Sequence, residues 1–345
     1  MTLPATLAGI ATGVGSMPGT DPRESAEVVV GEFGSLPHLV ELPARGVGAD
    51  MIGRTGALLV ELPFDTTTRG YRISARPSGA SKRSTDLLSR DLDALEEVWE
   101  TQGLAGSGTL KVQACGPLTL AAEVELANGH RVVTDRGALR DFADSLTEGL
   151  VRHVAEVRRR LGADVIVQLD EPLLGSVLAG TLRGVTGIER VRAMPAPEAS
   201  SLLDGVIEGI GAPVVVHTCA KTPPLDFLRR SAAVAVSVDA TLLTVKDLDG
   251  VGELLQSGKG LLLGLVPSTA PAKQPTWREV AEPALALLDR LGFPRAILQS
   301  QIAVTPTCGL AGATDEWART ALRLTAETAR AFAEEPDSIA RIGQD

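Results

Sequence analysis

Short runs of apolar residues recur along the whole chain and alternate with longer amphipathic stretches. Several runs are apolar at nearly every position, as in Val214-Val215-Val216 and Leu261-Leu262-Leu263. Such continuous apolarity over a short run is typical of parallel strands that helices cover on both faces. We count eight strand candidates, at residues 13–16, 38–42, 110–115, 164–169, 213–219, 234–239, 261–266 and 301–305.

The stretches between these runs carry the signals of helices. Asp21 with Pro22 at the next position is typical of a helix start. Residues 139–161 are apolar on one face and charged on the other, which predicts a long helix, and a last helix is predicted over residues 314–335. Eight strands that alternate with helices in 345 residues favour a (β/α)8 barrel over an open doubly wound sheet.

No linker long enough to separate two domains interrupts this alternation. We therefore expect residues 1–345 to form a single (β/α)8 barrel domain. Residues 75–85 (ARPSGASKRST) are polar, basic and rich in turn-forming residues, which predicts a long mobile loop.

Composition narrows the functional classes. The chain has 33 Lys and Arg residues against 43 Asp and Glu residues, a net charge of −10, so it lacks the basic character of nucleic-acid-binding proteins. No apolar run reaches the roughly 18–20 residues of a membrane helix, and the segment from Met1 to Pro4 lacks the features of a signal peptide. We therefore expect a cytoplasmic protein that binds neither nucleic acid nor membranes.

Three cysteines that are far apart in sequence do not indicate a disulfide framework. One of them, Cys219, lies two residues after His217 at the end of the fifth run, and side chains at positions i and i+2 of a strand share a face. An imidazole and a thiolate on one face are two ligands for zinc. A pair of buried core residues is an equal alternative on this observation alone.

Two further residues would reach the same face of the barrel. Cys308 follows the eighth run and Asp239 ends the sixth. The carboxyl ends of the strands form the face at which barrel enzymes keep their active sites. Together with His217 and Cys219, these residues would offer nitrogen, oxygen and sulfur donors from several strands, as in a catalytic metal site.

Acidic residues and a glycine-rich turn also follow strand candidates. Asp170 and Glu171 come directly after the fourth run, and Glu41 lies at the end of the second. Helix capping is the general alternative to catalysis for acids in this position. Gly15-Ser16-Met17-Pro18 closes the first run and fits neither the Rossmann nor the P-loop spacing. Cys115, after the third run, is interpreted as packing or pocket lining.

Five motifs together resemble the catalytic domain of cobalamin-independent methionine synthase. His217-x-Cys219 and Thr307-Cys308-Gly309-Leu310 resemble its zinc motifs. Three other motifs resemble further signatures of that domain in the same order: Gly15-Ser16-Met17-Pro18, Gly116-Pro117-Leu118-Thr119 and Asp170-Glu171-Pro172. The resemblance extends from about Gly13 to Leu310 and so covers most of the chain.

The resemblance implies a (β/α)8 barrel of the uroporphyrinogen-decarboxylase and methionine-synthase type. It also implies a zinc ion that binds and activates homocysteine. His217, Cys219 and Cys308 match the family's zinc ligands, and Asp239 stands where the family has a zinc-binding glutamate.

The same resemblance implies how the substrate is held. Asp170 and Glu41 fall on the acids that bind the amino group of homocysteine. Gly15 and Ser16 fall on the Gly-Ser pair that contacts homocysteine.

Long members of this family carry a second, N-terminal barrel that helps to bind a folate methyl donor, and 345 residues leave no room for one. The chain therefore resembles the short, single-barrel members, for which a methyl-corrinoid donor carried by a corrinoid protein is known. The resulting hypothesis is a zinc-dependent methyltransferase that converts homocysteine into methionine, with methyl-corrinoid or methyl-folate as the donor.

The residues also allow three other interpretations. A related zinc methyltransferase would act on a different thiol, with a corrinoid protein as donor. A decarboxylase on the same barrel would need no metal. A relative without catalytic activity would bind zinc and homocysteine without turnover.

Overall fold

The computed structural model describes residues 3–4, 7–185 and 188–339, so 1–2, 5–6, 186–187 and 340–345 of the predicted domain lie outside the described residues. The strands are β1 Phe64–Thr67, β2 Gly70–Ile73, β3 Thr109–Cys115, β4 Asp164–Asp170, β5 Val214–Thr218, β6 Ala235–Asp239, β7 Gly260–Val266 and β8 Ile302–Pro306. The helices are α1 Pro22–Glu32, α2 Met51–Gly56, α3 Gly79–Thr101, α4 Pro117–Glu123, α5 Arg136–Leu161, α6 Leu174–Ala179, α7 Ala196–Ile210, α8 Leu225–Arg230, α9 Leu248–Gln256, α10 Trp277–Leu291, α11 Ala296–Ser300 and α12 Asp315–Glu334. Short 3-10 helices lie at Pro43–Arg45, Val132–Thr134, Ala240–Leu242, Val245–Asp247 and Pro336–Ser338.

Strands β3 to β8 form one six-stranded parallel sheet in sequence order. Two N-terminal segments, residues 9–17 and 37–41, close this sheet into a barrel through single parallel bridges. The bridges are Ala11–Val304, Ser16–Glu41 and His38–Lys111. Each of the eight strand candidates therefore occupies one position around the barrel, and the predicted (β/α)8 fold is confirmed.

The predicted helices are confirmed, with capping residues at their starts. Asp21 Oδ1 accepts two backbone N–H hydrogen bonds, at 2.9 and 3.2 Å, and starts α1. The long helix α5 buries one stripe of its surface, and Thr314 caps α12 through the N–H of Trp317. No helix within the described residues has both the length and the apolar character needed to cross a membrane.

The predicted loop at residues 75–85 is wrong over most of its length. Ser78 Oγ accepts a hydrogen bond from the N–H of Ser81 at 3.1 Å and caps α3, which begins at Gly79. Ser84 and Thr85 each donate a hydrogen bond to the carbonyl oxygen one turn earlier. The small polar residues that suggested a loop thus support the first turns of a helix.

The antiparallel hairpin of β1 and β2 is an element that the apolar pattern does not predict. Each of its strands has only four residues. The ring of Tyr71 packs edge-on against Phe64, with the centroids 5.5 Å apart. The hairpin and α2 belong to the connection between residues 37–41 and β3.

The interior of the barrel changes from apolar to polar along the strands. A small cluster fills one end: Leu7, Leu36, Ile166, Val215, Val234, Ala235, Leu262 and Ala303. Two residues further along β4, β5 and β6, the inward positions are polar: Gln168, His217 and Ser237. A larger apolar cluster packs the strands against the helices. The polar side chains therefore face the carboxyl ends of the strands.

Gly149 of α5 lies where this helix meets the chain at Leu58. A Cβ at Gly149 would lie 1.9 Å from the Leu58 carbonyl oxygen, so Gly149→Ala is expected to lower the free energy of unfolding by about 1–3 kcal/mol. Gly205 of α7 is the matched control, because a Cβ there meets no atom within 4 Å. Gly205→Ala should raise this free energy by about 0.5–1 kcal/mol. Urea denaturation measures both; a stabilising Gly149→Ala would contradict the close contact.

Candidate active site

His217, Cys219 and Cys308 lie together at the carboxyl ends of their strands. His217 belongs to β5, Cys219 follows that strand directly, and Cys308 lies two residues after the end of β8. One ligand atom from each residue lies within 4.8 Å of the other two. The structure thus brings three of the four residues of the expected ligand set into one group, which we call the His/Cys/Cys group.

The imidazole of His217 is oriented by a neighbouring strand. Its Nδ1 lies 2.9 Å from Ser237 Oγ on β6. Its Nε2 is buried and has no hydrogen-bond partner among the described residues. A buried ring nitrogen without a partner costs about 1–3 kcal/mol, and a metal ion would remove that cost.

The two thiols of the group influence each other. Their mutual interaction, together with the nearby His217, lowers the pKa of the Cys308 thiol to about 4. The same interaction and partial burial raise the pKa of Cys219. A thiolate is therefore favoured at Cys308, and the thiolate is the form of cysteine that binds metals.

Asp239 lies outside the His/Cys/Cys group. Its Oδ1 accepts hydrogen bonds from the backbone N–H of Thr241 at 2.8 Å and from Thr241 Oγ1 at 2.6 Å. It caps the 3-10 helix Ala240–Leu242. One oxygen of the acid that the resemblance implies as a fourth ligand is thus held by its own chain, and the group contains His217, Cys219 and Cys308 without it.

The remaining donors fit a metal site with one open position. One imidazole nitrogen and two thiolates are a known ligand set for catalytic zinc, in which substrate or water takes the fourth place. The unpartnered Nε2 of His217 and the close sulfur atoms of Cys219 and Cys308 meet this requirement.

Ser237 is expected to tune this site through His217. Replacing it by alanine should weaken metal binding about 10- to 100-fold, because the imidazole would lose its orienting partner. Competition with a chromophoric chelator measures the affinity. Ser231→Ala is the control, since Ser231 Oγ donates to the Leu228 carbonyl oxygen away from the site. Equal metal affinity of the two variants would contradict the role of Ser237.

Two buried carboxylates, Asp170 beside the His/Cys/Cys group and Glu41 near Asp170, lie at this face of the barrel. Asp170 ends β4 and pairs in register with His217. Glu41 Oε1 lies 3.7 Å from Arg54 Nε. Burial raises the pKa of both carboxyls, that of Glu41 to about 7, although Arg54 opposes the shift at Glu41 and His217 opposes it at Asp170. The negative charge of Asp170 also contributes to the raised pKa of Glu41, and a cation bound beside these carboxylates would favour their charged forms.

The Gly15-Ser16 turn contacts both Glu41 and the chain that follows β8. Ser16 bridges to Glu41, and its carbonyl oxygen accepts a hydrogen bond from the N–H of Leu310 at 2.8 Å. A Cβ at Gly309, next to Cys308, would lie 2.0 Å from Ser16 Oγ. The structure thus brings the first-segment turn, Glu41 and the end of β8 to one place.

Glu171 has a structural role, unlike its neighbour Asp170. Its Oε1 accepts from the N–H of Leu118 at 2.8 Å, and its Oε2 accepts from the N–H and Oγ1 of Thr119 at 2.8 and 2.6 Å. These bonds hold the start of α4.

Cys115 is fully buried in the main apolar cluster, in agreement with its interpretation as packing.

Three residues of the site carry no sequence motif. Ser237, Lys111 and Gln168 are all buried and face the barrel interior. The signal that could have identified Lys111 is a charge in the middle of an apolar strand, Leu110-Lys111-Val112. Alternation along β3 then predicts that it faces away from the helices.

The sequence matches the family described as "Cobalamin-independent synthase, Catalytic domain" over residues 9–331. A B12-independent methionine synthase from Shewanella sp. W3-18-1, solved in complex with selenomethionine, is 14% identical, with 95% of this chain and 97% of that chain covered at a TM-score of 0.60. A methyltransferase from Methanosarcina mazei is 17% identical, with 96% of this chain and 97% of that chain covered at a TM-score of 0.58. At these identities the two structures show a shared fold. No match was found among curated proteins.

Proposed function

Because the chain belongs to the family of cobalamin-independent synthase catalytic domains, we propose that it transfers a methyl group to the thiol of homocysteine and forms methionine. We propose zinc as its metal, with His217, Cys219 and Cys308 as the protein ligands. Family membership supports a methyl-transfer enzyme. The main support for a metal ion and a thiol substrate is the unpartnered Nε2 of His217 beside the two cysteine sulfurs.

Each ligand has a task that its surroundings explain. Zinc lowers the pKa of a coordinated thiol and keeps the thiolate nucleophilic, which is the chemistry it would supply here. His217 is presented through Nε2 because Ser237 holds Nδ1. Asp239 is hydrogen-bonded to Thr241 and is not counted among the ligands. The three protein ligands then leave a fourth position for the substrate sulfur.

Asp170 and Glu41 are proposed to bind the ammonium group of homocysteine. Both are buried, with relative exposures of 7% and 8%, so an ionic hydrogen bond to them would form in a medium that screens charge weakly. The relative from Shewanella was solved with selenomethionine, which has the same amino and carboxylate groups. This supports an amino acid as the methyl acceptor.

Ser16 and the backbone around Gly15 are proposed to meet the carboxylate of the substrate. The backbone of Ser16 forms a parallel β-bridge with Glu41 on one side, and its carbonyl oxygen accepts a hydrogen bond from the N–H of Leu310 on the other. The substrate would then be held at both ends of its amino-acid part. Its sulfur would gain a bond to the methyl carbon while the bond between that carbon and the donor breaks, and the thiol proton would pass to solvent.

Methionine formation by the zinc-loaded protein tests this proposal. Homocysteine would be offered with methylcobalamin in one arm and methyl-tetrahydrofolate in the other, and methionine measured by mass spectrometry. The proposal predicts methionine in at least one arm, at a rate that falls when zinc is removed by a chelator and returns when zinc is restored. No methionine with either donor would contradict it.

A further inference from the structure

The side chain of Lys111 is fully buried in the middle of β3. Its Nζ donates to Gln168 Oε1 at 2.6 Å and to the Val14 carbonyl oxygen at 3.2 Å. Burial lowers the pKa of Lys111 to about 7, and the negative charges of Asp170 and Glu41 oppose this shift. A buried lysine is costly unless it is paired and hydrogen-bonded, so its position depends on these partners.

Gln168 links this lysine to both ends of the proposed substrate site. Its Nε2 donates to Asp170 Oδ1 at 2.7 Å and to the Val14 carbonyl oxygen at 2.8 Å. Val14 directly precedes the Gly15-Ser16 turn. With its oxygen facing Lys111, the amide has both N–H groups available for Asp170 and Val14, so all three contacts favour the same orientation.

We propose that Lys111 and Gln168 form a buried positioning pair that holds Asp170 and the Gly15-Ser16 turn in register and thereby makes the site selective for thiols that carry an amino-acid group. This inference rests on the proposed function. The pair acts through Asp170 and Val14, to which Gln168 donates. Without Lys111, the buried Oε1 of Gln168 would lose its donor, and the amide that joins Asp170 to Val14 would no longer be fixed from its other side.

Binding measurements on the zinc-loaded protein test the pair. Calorimetry would give the Kd of L-homocysteine and of 1-propanethiol, which shares the thiol but has no amino or carboxylate group. Lys111→Met keeps the length and removes the charge, and it is expected to weaken homocysteine binding about tenfold or more. Propanethiol affinity and zinc content are expected to stay within about twofold, because the pair does not contact the His/Cys/Cys group.

Lys259→Met is the matched control. Lys259 Nζ donates to the carbonyl oxygens of Ser231 and Ala233, close to the amino end of β7. The same substitution there should leave both Kd values unchanged. Gln168→Met is the second test variant, to be used if circular dichroism shows that Lys111→Met does not fold. It should also weaken homocysteine binding selectively.

The outcomes separate the two proposals. Equal losses for homocysteine and propanethiol, or no loss in either variant, would overturn the positioning pair. Wild-type protein that binds homocysteine more tightly than propanethiol but yields no methionine would overturn the proposed reaction, while the variants would still decide the role of the pair. Wild-type protein with no preference for homocysteine would overturn both.

Discussion

Cys308→Ala is expected to lose both bound zinc and methyl transfer. Cys308 is the thiol whose pKa is lowered by its neighbours, and it is one of only three protein ligands in the proposed site. Removing it leaves one sulfur and one nitrogen. We expect kcat/KM to fall about 1,000-fold or more, which corresponds to about 4 kcal/mol of lost transition-state stabilisation.

Cys115→Ala is the control for this substitution. Cys115 is fully buried in the main apolar cluster, and its backbone N–H donates to Thr55 Oγ1 at 2.8 Å. The variant should keep one zinc per chain and lose only stability. Zinc content by mass spectrometry and the rate of methionine formation are measured on both proteins. Cys308→Ala with full zinc content and activity would contradict the assigned ligand set.

Asp170→Asn is expected to weaken the use of homocysteine strongly while the protein keeps its zinc. The change preserves the shape of the side chain and removes the charge that we propose to pair with the substrate ammonium. Removing one partner of a buried charge pair costs about 2–5 kcal/mol, so kcat/KM for homocysteine should fall about 100-fold. Steady-state kinetics with homocysteine, together with zinc analysis, measure the effect.

The adjacent acid offers a control of the same chemical type. Glu171→Gln changes an acid into its amide at the residue that holds the start of α4 through Leu118 and Thr119. It should lower the free energy of unfolding by about 1–3 kcal/mol and change the KM for homocysteine little. The role of Asp170 would be contradicted if the two variants had the same kinetic effect.

The barrel could be predicted because its strands are buried on both sides and so differ sharply in pattern from the helices. The runs of residues 110–115, 164–169 and 261–266 fall on β3, β4 and β7. The hairpin of β1 and β2 could not be found in this way, since each of its four-residue strands buries only one residue and carries no apolar run. The sequence at the start of α3 predicts a loop because serine and threonine favour both turns and helix caps.

The positions of His217, Cys219 and Cys308 follow from strand ends, because the carboxyl ends of parallel strands meet at one face of a barrel. The orientation of a side chain does not follow from its place on a strand. Asp239 has Thr241 two residues later, and this local hydrogen bond takes its carboxylate away from the His/Cys/Cys group. Ser237 contacts His217, and Gln168 contacts Lys111, each across two different strands, and no local sequence pattern contains such contacts.

X-ray absorption at the zinc edge, before and after addition of homocysteine, would count the ligands of the proposed metal site. We expect one zinc per chain with two sulfur neighbours and one nitrogen neighbour from the protein, and a third sulfur neighbour once homocysteine is present. A zinc signal with only oxygen and nitrogen neighbours, or a sulfur count that does not rise with homocysteine, would contradict a metal site built from His217, Cys219 and Cys308 for a thiol substrate.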